Sequence, residues 1–325
     1  MRNNSFICNF KLPKVFLVAA VLVIALELNL HINEKIYFYE DFRSDSLWQT
    51  VLNTWKHSKA DIAIVGSSVS HSGVRSNMLL SHLDNTSKKP IVMNYFLYSS
   101  NPEGVYRLLA DVVLPKVKPK LIVYVVGPND INGLNKIVEE NRKIPEIDLY
   151  VRSKALYLMI TLFDQYFYTY RYRARIGIWI QLGIDRLFAG KEMNAGSEAS
   201  VNRGGLKFWE RVKESSERYR IGDQSLSNIL RMKYLSVKNG ADFILVELPP
   251  HPRSFTVDGF KERYQEENKI LKNYCEKNRI NYLDLSEDLM REEYFRDALH
   301  LNEKGADVAA SILARQPQIM EAVNN

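Results

Sequence analysis

A doubly wound α/β fold built on a parallel five-stranded sheet is the architecture that the sequence predicts, and three observations predict it. Short apolar runs rich in Val and Ile recur along the chain, helical patterns fill the stretches between them, and turn residues close each run. Runs that are apolar at every position, rather than at alternate ones, belong to strands buried on both faces, as in a parallel sheet. Strand alternating with helix then places the helices on the two sides of one sheet. Composition agrees: 325 residues, 46% hydrophobic and 25% charged, are enough for a sizeable core and exclude a disordered or collagen-like chain.

The first element is not part of that sheet. Arg2, Lys11 and Lys14 precede the unbroken apolar run Val15 to Leu26, which continues through Glu27, Leu28, Asn29 and Leu30 before turning polar. A basic flank before an apolar run reads as a membrane anchor over residues 1–32, with a cleaved signal peptide or a buried core helix as the alternatives. The positive flank holds the amino terminus in the cytoplasm and leaves the rest of the chain periplasmic or extracellular. Residues 33–58 read as a juxtamembrane linker, and residues 59–325 as the folded domain.

Within that domain the strands are expected at Asp61 to Val65, Ile91 to Tyr95, Leu121 to Val126, Phe243 to Leu248 and Asn281 to Leu285. Helical patterns cover Pro102 to Val113 and Ser225 to Lys238, and a final helix begins near Glu303. More than a hundred residues separate the third and fourth strands, too many for one crossover, so residues 135–225 read as a helical insertion. The insertion is aromatic and basic: Tyr166, Phe167, Tyr168, Tyr170, Tyr172 and Trp179 interleave with Arg171, Arg173 and Arg175. Between Tyr150 and Arg220 there are 13 Lys and Arg against 7 Asp and Glu, which accounts for the whole net charge of +6. No nucleic-acid-binding signature accompanies that basicity, so a membrane surface or an anionic polymer is the expected counterpart. Its aromatics have two readings, filling the insertion's own core or facing the headgroup layer.

Cys8 and Cys275 are too few for a disulfide framework or a cysteine zinc site, no His and carboxylate cluster has ligand spacing, and there is no Gly-rich phosphate loop. No cofactor or metal is therefore expected. Ligands of such sheets bind beyond the carboxyl ends of the strands, and polar residues gather there. Gly66-Ser67-Ser68-Val69-Ser70 follows the first strand, Gly127-Pro128-Asn129-Asp130 follows the third, and Asp297-Ala298-Leu299-His300 precedes the last helix. A serine becomes nucleophilic when an imidazole takes its proton and a carboxylate on the other ring nitrogen holds the tautomer. His300 and Asp297 can supply these to Ser68. The oxyanion formed on attack at an ester needs donors, and Asn129 with the Ser68 amide suits that role. His251 reads as a substrate-cleft or solvent-facing residue, His71 as part of the first helix face, and Glu247 as a strand-end ion-pair partner, with a place in the cleft as the alternative.

These blocks resemble those of the SGNH/GDSL hydrolase superfamily over about residues 59–135 and 226–315. Gly127-Pro128-Asn129-Asp130 and Asp297-Ala298-Leu299-His300 carry the family spacing, while Ser67 stands where the family usually has Asp. The resemblance implies a flavodoxin-like sheet, with Ser68 as nucleophile, Asn129 as oxyanion donor, His300 as general base and Asp297 as its orienter. Asn94 matches the family's asparagine after the second strand, and Ser99 stands at the oxyanion glycine, where its amide can still donate. The Gly-Ser-Ser turn resembles membrane-anchored branches such as the teichoic-acid alanylation and alginate acetylation proteins. What this implies is an exported, tethered serine esterase or O-acyltransferase acting on acyl esters of a cell-envelope glycan or related polymer, or on a small ester, with a membrane partner protein that passes it acyl groups. The alternative is a non-catalytic envelope scaffold on the same fold.

Overall fold

The computed structural model describes residues 20–28, 42–83, 89–134, 145–166, 213–214 and 216–324. The chain divides into two compact units, Phe42–Arg152 with Ala195–Asn325, and Met1–Asp41 with Ser153–Asn194. In the first unit the order is α1 (Phe42–Lys56), β1 (Lys59–Gly66), α2 (Ser68–Gly73), α3 (Ser76–Ser81), β2 (Val92–Phe96), α4 (Pro102–Arg107), β3 (Lys118–Val126), α5 (Pro128–Ile131), α6 (Pro145–Arg152), α7 (Asp223–Lys238), β4 (Asp242–Glu247), α8 (Phe260–Lys277), β5 (Asn281–Asp284), α9 (Ser286–Leu289), α10 (Glu303–Ala314) and α11 (Pro317–Asn324). α4 runs on as a π-helical stretch, Leu108–Val113. All five expected strands are present, each within a few residues of its expected ends.

The sheet is wholly parallel, in the order β2-β1-β3-β4-β5. Its centre is β3, where Leu121 to Val126 are buried on both faces, as a strand apolar at every position requires. One face, with Ile62, Ile64, Val123, Val125 and Val246, packs on Leu79, Leu313 and Ile319 of α3, α10 and α11. Full burial of such side chains contributes roughly 1.5–3 kcal/mol each, before the entropy of ordering them. The chain begins at β1, steps out to β2 and returns across to β3, so strand order reverses between β1 and β3. That reversal opens the crevice where α/β sheets bind ligands.

One boundary differs from the sequence expectation. Residues 42–56, expected as linker, form α1 and belong to the folded unit. Leu47, Trp48 and Val51 are buried, the Thr50 hydroxyl both donates to the Phe96 carbonyl (3.1 Å) and accepts from the Phe96 amide (3.0 Å), and the Ser46 hydroxyl accepts from the Tyr98 amide (3.2 Å). α1 thus covers β2, the edge strand that would otherwise be bare on that side.

In the second unit, residues 20–28 are helical and the side chains of Val21, Leu22, Val23, Ile24 and Leu28 are exposed. Among the described residues no helix is long and apolar enough to cross a membrane. The rest of the expected anchor, residues 1–19 and 29–32, lies outside the described residues, as do the tyrosines and arginines from Phe167 to Trp179. Lys154–Tyr166 is a helix.

Candidate active site

The turn that carries Ser68 is built by close approach. A Cβ on Gly66 would lie 2.4 Å from the Ser70 Cβ and 2.6 Å from the Val125 carbonyl oxygen, so a residue without a side chain lets α2 start directly on the end of β1. Ser67 caps α2 by accepting the Val69 amide at 3.1 Å. Ser68 is therefore the first residue of the helix, half-exposed, and its own amide has no acceptor within the helix.

His300 arrives from the far end of the sequence on a tight loop. Phe295 and Leu301 form an isolated antiparallel bridge, and the Arg296 amide donates to the His300 carbonyl at 2.8 Å. Inside that loop the Asp297 carboxylate accepts the amides of Leu299 and His300, each at 2.9 Å, which is the ordinary Asx behaviour of an aspartate heading a turn. The same carboxylate reaches His300 Nδ1 at 2.9 Å through either oxygen, and His300 Nε2 lies 2.9 Å from the Ser68 Oγ. Spacing of three therefore serves both turn and tautomer. Burial works against the Asp297 charge, but His300 and the two amides hold its carboxyl down to about 2. Asp297 stays ionised, as an orienter of a histidine must.

Asn129 follows β3 on α5, and Val69, Asn129 and Leu299 line one small pocket of about 20 Å³, room for about a water molecule. Asp130, the last residue of that block, has a positional role that the sequence left unread. It is buried, accepts the Gly127 amide at 2.9 Å, and receives a hydrogen bond from the Ser67 hydroxyl. Ser67 thereby joins the α5 turn to the cap of α2. Burial pushes the Asp130 carboxyl up to about 6, against the pull of the Gly127 amide, the Ser67 hydroxyl and His300. Its signal in sequence was the spacing of three from Gly127, which lets a carboxylate in the first helical turn reach back to the amide that opens the turn.

Ser99 takes φ 53°, a left-handed conformation that favours glycine, so this position keeps a glycine's backbone although it carries a serine. Its loop is fastened to α2 by His71, whose ring stacks on Phe96 at 4.0 Å and lies 5.7 Å from Tyr98. Burial, with Arg75, Arg296 and His300 adding to it, pushes His71 down to about 4, so this imidazole is neutral at ordinary pH. Asn94 is a staple: its side chain accepts the Ser76 amide (2.7 Å) and donates to the Val74 carbonyl (2.9 Å).

Two side chains take up other posts than expected. His251 is buried as a cap, with Nδ1 accepting the Arg253 amide at 3.1 Å and its ring 4.8 Å from Phe295. Glu247, expected in an ion pair, is fully buried and accepts the hydroxyls of Tyr264 (3.1 Å) and Tyr282. Burial pushes its carboxyl up to about 7. An apolar strand end offers hydroxyls that stay bonded whether the carboxyl is charged or neutral, which a lysine partner would not. Among the described residues no cluster of His, Cys, Asp and Glu is placed to hold a metal ion.

No family model matches the chain, and no curated protein matches it. Solved structures similar to it include a GDSL-like lipase from Bacteroides thetaiotaomicron, 12% identical over 85% of this chain and 97% of that one, with a TM-score of 0.42. Another is a mutant acetyl-xylooligosaccharide esterase from Geobacillus, 10% identical over 80% of this chain and 93% of that one, with a TM-score of 0.40. At such low identities and TM-scores the functional reading rests on the residues of the site.

Proposed function

We propose that the chain is a serine esterase or O-acyltransferase of the SGNH/GDSL type. The observation that carries this reading is the unbroken chain from Asp297 through His300 to Ser68, with every link at 2.9 Å. Ser68 Oγ attacks an ester carbonyl while His300 Nε2 takes its proton. The oxyanion is met by the Asn129 side chain and by the Ser68 and Ser99 amides. His300 then gives the proton to the departing alkoxide, leaving an acyl group on Ser68. Water or an acceptor hydroxyl, deprotonated by His300, removes that acyl group by the same steps in reverse order.

The finer reading is that this chemistry works on acyl esters of a cell-envelope glycan or related polymer, with the chain held at the membrane by its amino terminus and served by a membrane acyl-transfer partner. What supports tethering is the apolar face of residues 20–28, exposed all round, behind a flank bearing Arg2, Lys11 and Lys14.

Labelling by a fluorophosphonate tests the chemistry: the full-length protein should be labelled, and Ser68→Ala should not. A folded protein that takes no label leaves the scaffold reading in place. A phosphatase reporter fused after Asn325 tests the topology and should be active on the outer side of the membrane. Activity only of a cytoplasmic reporter would remove the envelope substrate.

A further inference from the structure

A parallel sheet starts all of its strands at one edge and ends them at the other, and the two edges of this sheet carry different chemistry. Ser68 and Asn129 follow the ends of β1 and β3, and His300 joins them there. The opposite edge is a row of lysines. Lys59 opens β1, Lys89 precedes β2, Lys118 opens β3, Lys238 ends α7 ahead of β4, and Lys277 ends α8 ahead of β5, so every strand is entered past an exposed lysine. Lys59 and Lys118 are register partners, which sets two like charges side by side at a strand spacing of about 4.8 Å.

Against this row stand Asp61, Asp242, Glu276 and, from α11, Glu321. Asp61 is already taken by Lys120 and by the Ile91 amide, whereas the five lysines make no ion pair among the described residues. Outside Tyr150 to Arg220 the chain has as many acidic as basic residues, so the row is charge gathered at one edge and not a general excess.

Apolar side chains stand exposed among the lysines. α1 runs down β2, with Ser46 at Tyr98, Thr50 at Phe96 and Asn53 donating to the Asn94 carbonyl (3.3 Å), so its last turn brings Trp55 and Lys56 toward the start of the strands. Trp55 is 48% exposed, and its ring stands T-shaped to Trp48 at 6.0 Å. Ile91, 40% exposed, follows Lys89 by two residues, and Val237, 57% exposed, directly precedes Lys238. Lysines with apolar residues between them match the boundary of a bilayer, where indole and hydrocarbon sit among the headgroups while ammonium groups reach the lipid phosphates. A carbohydrate polyanion would meet the lysines but would gain nothing from Ile91 and Val237.

We propose that the amino-terminal edge of the sheet is a membrane-docking face for anionic phospholipid. The proposal stands apart from the esterase reading and adds an orientation to it. β3 has nine residues, about 30 Å of strand, so a chain docked on this edge holds Ser68 about 30 Å above the headgroups and opens the catalytic edge away from the bilayer. The ester that reaches Ser68 then belongs to a molecule of the layer outside the membrane, not to a lipid of the same leaflet.

The test is lysine footprinting of full-length protein in nanodiscs of phosphatidylcholine alone or with one third phosphatidylglycerol, using a water-soluble acetylating ester and mass spectrometry. Phosphatidylglycerol should lower acetylation of Lys59, Lys89 and Lys118 severalfold and leave Lys261 and Lys304, exposed at the helix starts of the other edge, as reactive as before. The protection should fade at high salt, because surface charges are then screened. Lys59→Gln, Lys89→Gln and Lys118→Gln combined should restore the reactivity of Lys238 and Lys277, since each lysine is worth about fivefold in affinity for an anionic surface. Equal acetylation in both kinds of disc overturns the proposal. Protection of Lys261 and Lys304 instead overturns it by turning the catalytic edge to the bilayer, and protection by polygalacturonate but not by phosphatidylglycerol gives the edge to a polymer. Fluorophosphonate labelling of Ser68, read on the same samples, reports the esterase reading separately.

Discussion

His300 Nε2 lies 2.9 Å from the Ser68 Oγ although 232 positions separate the two residues in sequence. Groups joined in this way act as one unit, so their removals do not add. Ser68→Ala and His300→Ala should each lower kcat by roughly 10⁴ to 10⁶ with unchanged melting temperatures, and the double variant should be hardly slower than either single one. Steady-state rates on a p-nitrophenyl ester check this. Multiplicative losses in the double variant would mean that the two side chains work separately.

Asn129→Ala should cost less, roughly 10² to 10³ in kcat, because the backbone donors remain. Ser99→Gly separates backbone from side chain at the neighbouring loop. With φ at 53° the serine is strained, and glycine there should stabilise the protein by about 0.5 to 1 kcal/mol. The amide is kept, so kcat should not fall. A drop in kcat together with a lower melting temperature would show that the serine side chain is needed.

Glu247 should make stability fall as pH rises. Its folded-state carboxyl is raised from 4.5 to about 7, so the folded protein holds a proton that the unfolded chain releases earlier. The contribution is complete below pH 4.5 and is lost as pH climbs through 7. Glu247→Gln removes the buried charge while its amide oxygen accepts one of the two tyrosine hydroxyls and its amide nitrogen donates to the other, and it should stabilise by on the order of 2 kcal/mol at pH 8 relative to pH 5. Denaturant melts of both proteins at the two pH values measure the difference. Equal shifts at both would show that the carboxyl titrates normally. Asp297 has the opposite sign: held down to about 2, it adds stability above pH 3.8 that is lost as pH falls through 2.

Two truncations test the boundary of the folded unit. A chain starting at Phe42 should fold and melt cooperatively, whereas one starting at Lys59 should be insoluble or molten. The second lacks Leu47, Trp48 and Val51 from the core, and leaves the Phe96 amide without the Thr50 hydroxyl. Cooperative melting of the shorter chain would return residues 42–56 to the linker.

The strands were legible because burial on both faces writes itself as unbroken Val and Ile, as in Leu121 to Val126, and the helical patterns between such runs point to a parallel sheet. Ser68, Asn129, Asp297 and His300 were legible because each stands just past a strand or heads a turn, where local spacing is part of the structure. α1 was not, since its stripe of Leu47, Trp48 and Val51 is meaningful only once β2 is known to be a bare edge. Asp130, Glu247 and the row of lysines were hidden for a related reason. A carboxyl's charge depends on how deeply other segments bury it, and a charged edge depends on which strands pair, as Lys59 and Lys118 do. The sequence by itself determined the sheet, its layering and the chemical types at its edge. Only the tertiary structure decided which carboxyls stay protonated, what covers the edge strand and which lysines stand together, because each of these is a distance between residues far apart in the chain.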